Sequence, residues 1–193
     1  MDTPLTYAAV LMEGVSAQKP EEVLSLALLQ QILGNSSSIS YSVGSASRFS
    51  KISKKYDYNP QISSINFNYS DNGLFGIYVA AESKDVNDIL KATVGEVKNA
   101  IKTGPSEDEL RIAKQKLKAS YNFAQDDQSE CLEELAFQAG NFKKLLSLPE
   151  FENIVDKITA QTISTAASKG MRSKPAIAVV GKAQGVLYAD ELI

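Results

Sequence analysis

Residues 61–82 read QISSINFNYSDNGLFGIYVAAE, and this stretch decides the fold class. Ile65, Phe67 and Tyr69 alternate with Asn66, Asn68 and Ser70, the period-2 signature of a strand with one face in a core. LFGIYVAAE follows as a second strand, rich in residues that suit a pleated surface. Between them stand Asp71, Asn72 and Gly73. An Asn-Gly pair between two strand-like runs marks an antiparallel hairpin, because both residues tolerate the positive φ of a tight turn.

Toward the N-terminus, RFSKISKKY (48–56) reads as a short helix, and residues 34–47 (GNSSSISYSVGSAS) as a Ser/Gly-rich loop too weakly apolar to order itself by burial. Before it, Pro20 opens EEVLSLALLQQIL. Pro at the first turn, acids beside it and Gly34 just past the end punctuate a helix. Its apolar residues cover most of the circumference, which predicts a largely buried helix packed inside a larger layer or assembly. PLTYAAVLME (4–13) reads as a strand.

Toward the C-terminus, Val86, Ile89, Leu90, Val94, Val97 and Ile101 recur at helical spacing over 85–102, and Gly104-Pro105 ends that helix. Ser106 and Glu109 form a capping box for a helix reaching about residue 124, with Leu110, Ala113, Leu117 and Tyr121 on its buried stripe. Two or more helices occupy 129–170, one with Pro149 near its first turn. AIAVVG (176–181) is nearly all apolar and reads as a central strand, and GVLYADELI as an ordered tail. The predicted order is β-α-(loop, short α)-β-β-α-α-α-α-β. Residues 1–193 are expected to form a single α+β domain, a mainly antiparallel sheet covered by helices.

Composition narrows the function. The chain has 193 residues, 44% of them apolar, and a net charge of −3. No basic patch interleaved with aromatics appears, so a nucleic-acid partner has little support. There is no histidine. A Ser or Cys nucleophile then lacks its usual base, and zinc its usual ligands. A Ser50–Lys54 pair is the conceivable substitute, against a plain loop reading. Cys131 stands alone, which excludes an internal disulfide and a CxxC site; a buried, inert thiol is expected. Acidic clusters at 107–109, 126–127, 133–134 and 190–191 suit helix starts and solvated faces and lack the EF-hand pattern. Gly34 and Gly44 flank the serine loop without a P-loop motif. Arg111, Lys114 and Lys118 form a stripe, and Lys51, Lys54 and Lys55 a smaller group. A solvated face is one reading and docking to an acidic partner the other. No catalytic, cofactor-binding or metal residue is therefore expected, and no cofactor. No apolar run approaches the roughly 20 residues of a membrane span. The chain starts directly on a strand-like segment without a signal peptide, and is expected to be part of a longer protein.

Four segments carry a family resemblance: LLQQILG, the loop NSSSISYSVGSASRF, the strand pair SSINFNYSDNGLFGIYV, and SEDELRIAKQKLKASY. In this order they resemble the C-terminal half of M16 metallopeptidase-like subunits. Within these, YSDNGLFGIY, AKQKLKASY and the final ADEL are most similar to the second-core-subunit branch of mitochondrial ubiquinol–cytochrome c reductase, respiratory complex III. The resemblance implies a half-subunit that pairs with a similar N-terminal half, where active members carry HxxEH. It implies a non-catalytic structural role on the matrix side of the mitochondrial inner membrane, peripheral to it. The implied partners are the other complex III subunits, especially the first core subunit. Active members carry SRLFxxIREKRGLAY in this half. Here Ser47, Arg48 and Phe49 echo its start, Ser53 falls near its later Arg, and the Gly-Leu-Ala-Tyr end is absent. The alternative is the non-catalytic subunit of the mitochondrial processing peptidase, in which the loop 34–48 would contact presequences. An active peptidase is the third and weakest reading.

Overall fold

The computed structural model describes residues 5–35, 47–141, 145–170 and 173–192. Its elements are β1 (Leu5–Glu13), α1 (Pro20–Leu33), α2 (Arg48–Ser53), β2 (Gln61–Asn68), β3 (Gly73–Glu82), α3 (Val86–Thr103), α4 (Glu107–Asp126), α5 (Gln128–Asn141), α6 (Leu148–Lys157), α7 (Ala160–Gly170) and β4 (Ala176–Val180). The architecture is the predicted α+β. The four strands are ordered β2-β3-β1-β4, and every neighbouring pair is antiparallel. Three helices account for residues 128–170, where two or more were expected.

One face of the sheet builds the core. Ile62 on β2, Phe75, Ile77 and Val79 on β3, and Ala8 and Val10 on β1 pack with Leu26, Leu29 and Leu33 of α1 and Ile89, Leu90 and Val97 of α3. Thr93, fully buried on α3, donates its hydroxyl to the Ile89 carbonyl and so satisfies itself within the helix. The broadly apolar α1 needs no outside layer. Leu28, Leu29 and Leu33 are fully buried because β2, α2, α4, α6 and α7 surround the helix within the domain.

Three expectations are corrected. First, the apolar side of β2 faces away from the helices. Ile62 and Ser64 point inward, while Phe67 is 53% and Tyr69, just past the strand, 54% exposed. The polar residues turn inward because Ser64 ties the strand to the end of α1: its N–H and hydroxyl both donate to the Gly34 carbonyl. Second, β4 is an edge strand bonded to β1 alone, and Val180 is 68% exposed. An apolar run reads as central, but here the apolar residues serve both faces of a sheet edge. Third, the hairpin does not turn on Asn-Gly with positive φ. Residues 69–72 form the connection, closed by the Tyr69 N–H donating to the Asn72 carbonyl, and Gly73 pairs with Asn68 as the first residue of β3. Glycine is needed there for space, since a Cβ would lie 2.5 Å from the Val15 carbonyl oxygen and 2.6 Å from that of Phe67.

The helix punctuation forms as read. Ser106 and Glu109 exchange both bonds of the capping box at α4. Asp127 Oδ1 accepts the Ser129 and Glu130 N–H groups and so opens α5. No described helix is long and apolar enough to cross a membrane.

Candidate functional site: the loop neck and the open sheet face

Most of the serine loop, residues 36–46, lies outside the described residues; its two ends do not. At the first end, Gly34 takes φ 135°, a conformation side chains rarely adopt. Gln30 Nε2 donates to Asn35 Oδ1 at 3.0 Å and to the Ser64 carbonyl at 3.2 Å. At the second end, Ser47 caps α2 by accepting the Ser50 N–H. The two ends touch: a Cβ on Gly34 would sit 2.9 Å from Ser47 Oγ.

Arg48 locks the return point. Its Nε and Nη2 donate to the two oxygens of Glu109 at 2.9 and 2.8 Å, a bidentate fork. Nη1 donates to Glu96 at 3.1 Å and Nη2 to the Gly104 carbonyl at 3.4 Å. Only 11% of the Arg48 side chain is exposed. The pairing with Arg48 lowers the Glu109 carboxyl to about 2, with the Ser106 N–H adding to the effect and burial opposing it. One carboxylate thus caps α4 and grips the start of α2. Beside it is a cavity of about 60 Å³ lined by Gln31, Ile32, Ser47, Ile112, Ala113 and Lys116, room for a few water molecules.

The other candidate surface is the sheet face away from the helices. Tyr7, Ala9 and Leu11 of β1 lie in register with Ala80, Tyr78 and Gly76 of β3, and on the far side with Val180, Ala178 and Ala176 of β4. Ile65 and Phe67 of β2 continue the rows beside Gly76 and Leu74. None of these side chains joins the core cluster. The rows are charged only at their two ends, at Glu13 and Glu82, and on the β2 edge Gln61 and Ser63 stand beside Ala80 and Tyr78. An antiparallel sheet facing water carries polar residues on its wet side, so this face has the composition of a buried layer. Strand spacing and rise give it roughly 400 Å², in the size range of apolar patches that mark interaction sites.

The remaining sequence candidates disperse. Lys114 and Lys118 of the basic stripe both reach Asp156, through its carbonyl and its carboxylate, so most of that stripe pairs within the chain; Arg111 pairs with Asp108 instead. Burial lowers the Lys114 ammonium, with Asp156 opposing. Cys131 is half-buried rather than enclosed, and its thiol approaches Gln125 Oε1 at 3.5 Å. Ser50 donates to the Ser47 carbonyl as part of the neck. Among the described residues no group of three or more His, Cys, Asp or Glu could hold a metal ion. Sequence reading picked out Arg48 but not its partners, which lie 48 and 61 positions away. The open face did leave a signal: β1 and β3 are apolar at both parities, the mark of strands covered on two sides.

The family model described as "Peptidase M16 inactive domain" matches residues 1–117. The mitochondrial-processing peptidase subunit beta of Blastocladiella emersonii is 30% identical over 182 residues, covering 93% of this chain and 39% of that protein. The human cytochrome b-c1 complex subunit 2, mitochondrial, is 29% identical over 190 residues, 97% of this chain and 42% of that one. A chain in the structure of complex III2 from Candida albicans superposes with a TM-score of 0.85 at 18% identity, over 98% of this chain and 46% of that one. The chain therefore spans about two-fifths of the curated relatives it matches.

Proposed function

The chain belongs to the M16 peptidase family as an inactive domain, and from that premise we propose that it is a structural half-unit of a non-catalytic core subunit of a mitochondrial cytochrome b-c1 complex. The open sheet face carries this reading. A domain whose second sheet surface is apolar is built to be one layer of a larger body, and its work is to hold that body together. In this reading residues 1–193 form one C-terminal unit with no catalytic, metal-binding or cofactor-binding residue. The parent assembles with the other subunits of the complex, the first core subunit above all, peripherally on the matrix side of the inner membrane. The likeness to cytochrome b-c1 complex subunit 2 over nearly the whole chain supports it. Purification of the tagged full-length protein from mitochondrial inner membranes tests it. Cytochromes b and c1 should come with it, read by their reduced-minus-oxidised haem spectra; a tagged protein free of both haems overturns the proposal.

One observation favours a second reading, the non-catalytic subunit of a mitochondrial-processing peptidase. Processing-peptidase subunits stand beside the b-c1 subunits among the relatives. Presequences would then contact the loop 34–48. Saturable binding of a presequence peptide, lost on deleting residues 35–46, would favour it over the scaffold.

A further inference from the structure

The connection between β2 and β3 holds the only Asn followed by Gly in the sequence, Asn72-Gly73. Such a step carries chemistry of its own. With no Cβ on Gly to shield it, the backbone nitrogen can reach the Asn side-chain carbon. The Gly73 nitrogen gives up its proton and bonds to Asn72 Cγ; the Cγ–Nδ2 bond breaks, and Nδ2 leaves as ammonia. Water then opens the cyclic imide at either carbonyl. The net change is one water in and one ammonia out, with an aspartyl or isoaspartyl residue left at position 72. Nothing is oxidised or reduced.

The fold opposes this step at each reacting atom. Every polar group of Asn72 is engaged. Its N–H donates to Asp71 Oδ1 at 3.0 Å, and its carbonyl accepts the Tyr69 N–H at 2.8 Å. Its Oδ1 accepts the Gly73 N–H at 2.9 Å, and its Nδ2 donates to Glu13 Oε1. The Oδ1 bond presents the side-chain oxygen, rather than the carbon, to the Gly73 nitrogen, and it holds the proton that must leave. The Nδ2 bond ties the leaving group to β1, 59 positions away. Gly73 is itself buried and anchored: its carbonyl accepts the Gly14 N–H at 2.7 Å. Turning Cγ toward the nitrogen breaks both side-chain bonds, and Gly73 has no slack to follow. Asn72 is only half-buried, so water reaches an imide once it forms.

From these bonds we propose that Asn72 is a deamidation site that the folded hairpin keeps closed, with Glu13 as its bolt. The reaction proceeds from the locally opened hairpin, so its rate follows the population of that open state. It is one-way, because the ammonia is lost. The new carboxylate stands where the amide donated to Glu13, and two like charges replace a hydrogen bond. A chain whose hairpin has opened is thereby marked, and it closes less firmly afterwards. The proposal draws on neither functional reading.

The test follows position 72 by peptide mass spectrometry in the 193-residue chain at mildly alkaline pH, folded and in urea. Conversion should be about tenfold or more slower in the folded chain, with aspartyl and isoaspartyl products separated by chromatography. Glu13→Ala removes the acceptor and should speed conversion of the folded chain about threefold or more, without changing the rate in urea. Glu13 is exposed, so circular dichroism should show that variant folded. Glu109→Gln, which weakens the domain without touching the hairpin, should leave the folded rate unchanged. Asn72→Asp should lower the urea midpoint, and adding Glu13→Gln should recover part of the loss by offering the new carboxylate a donor. Equal rates folded and unfolded, no conversion in urea, or a folded rate unmoved by Glu13→Ala overturns the proposal. So does equal acceleration by Glu109→Gln, since the gate would then be global unfolding, or an Asn72→Asp chain as stable as wild type.

Discussion

Replacing Glu109 by Gln tests the neck with one atom changed. Gln at this position still completes a capping box, so α4 keeps its start and the loss falls on the charge facing Arg48. The Glu109 carboxyl lies at about 2 in the folded chain against an ordinary 4.5. At about 1.4 kcal/mol per unit, that difference sets a ceiling near 3.4 kcal/mol. Nearly a third of the Glu109 side chain is exposed, so water screens part of it, and a cost of about 1.5–2 kcal/mol is expected. For a domain of this size that lowers Tm by roughly 4–8 °C. Urea denaturation of both proteins across pH is the assay. A depressed carboxyl stabilises the fold above its unfolded value, and the contribution disappears as pH falls toward the folded one. The gap between wild type and Glu109→Gln should therefore be full at pH 6–7 and shrink between about pH 4.5 and 2. Equal stability at pH 7, or a gap of the same size at pH 7 and pH 2.5, would refute the assignment of the lowered carboxyl to the Arg48 pair.

Four other outcomes follow from the packing and the open face. Gly73→Ala forces a methyl against two carbonyl oxygens and should cost about 2–3 kcal/mol in urea unfolding, whereas Gly140→Ala, which meets nothing within 4 Å, should be neutral or slightly stabilising. Leu192 is 6% exposed and its carbonyl accepts from Lys98 Nζ; Leu192→Ala should cost about 2 kcal/mol, measured the same way. Tyr58 is pushed up to about 12, chiefly by burial and with Asp85 adding to it. Its share of stability should fall as pH rises from about 10 through 12, a loss that Tyr58→Phe removes, read by urea unfolding across that range. On the open face, Tyr78→Lys should leave the isolated chain within about 1 kcal/mol of wild type while reducing recovery of haem-containing complex with the full-length protein; unchanged recovery would count against the face as an interface.

The local signals in the sequence carried the elements, and the long-range ones were silent. Ser106 with Glu109, Pro20 with Gly34, and the 3.6-residue spacing over 85–102 each depend on neighbours a few positions apart, and each formed as written. Which side of a strand turns inward is decided elsewhere. Ile65, Phe67 and Tyr69 look like a core face until Ser64 is seen to bond the end of α1, 30 residues earlier. The edge position of AIAVV is silent for a related reason: apolar residues at both parities suggest two covered faces, yet β4 pairs with β1 alone and leaves Val180 68% exposed. The same rule applied to β1 and β3 exposes the candidate surface. Arg48 was visible as a motif fragment, but its geometry needed Glu96 and Glu109 folded beside it.

The contact between Gly34 and Ser47 has an evolutionary consequence. α1 and α2 are held together at that point by groups outside residues 36–46. Lengthening a loop whose ends are already fixed costs little, about 0.6 kcal/mol for a doubling. An insert exchanged between Gly34 and Ser47 would leave these described contacts in place. The constraint falls on Gln30, Gly34, Ser64, Arg48 and Glu109, which form the socket into which such inserts fit.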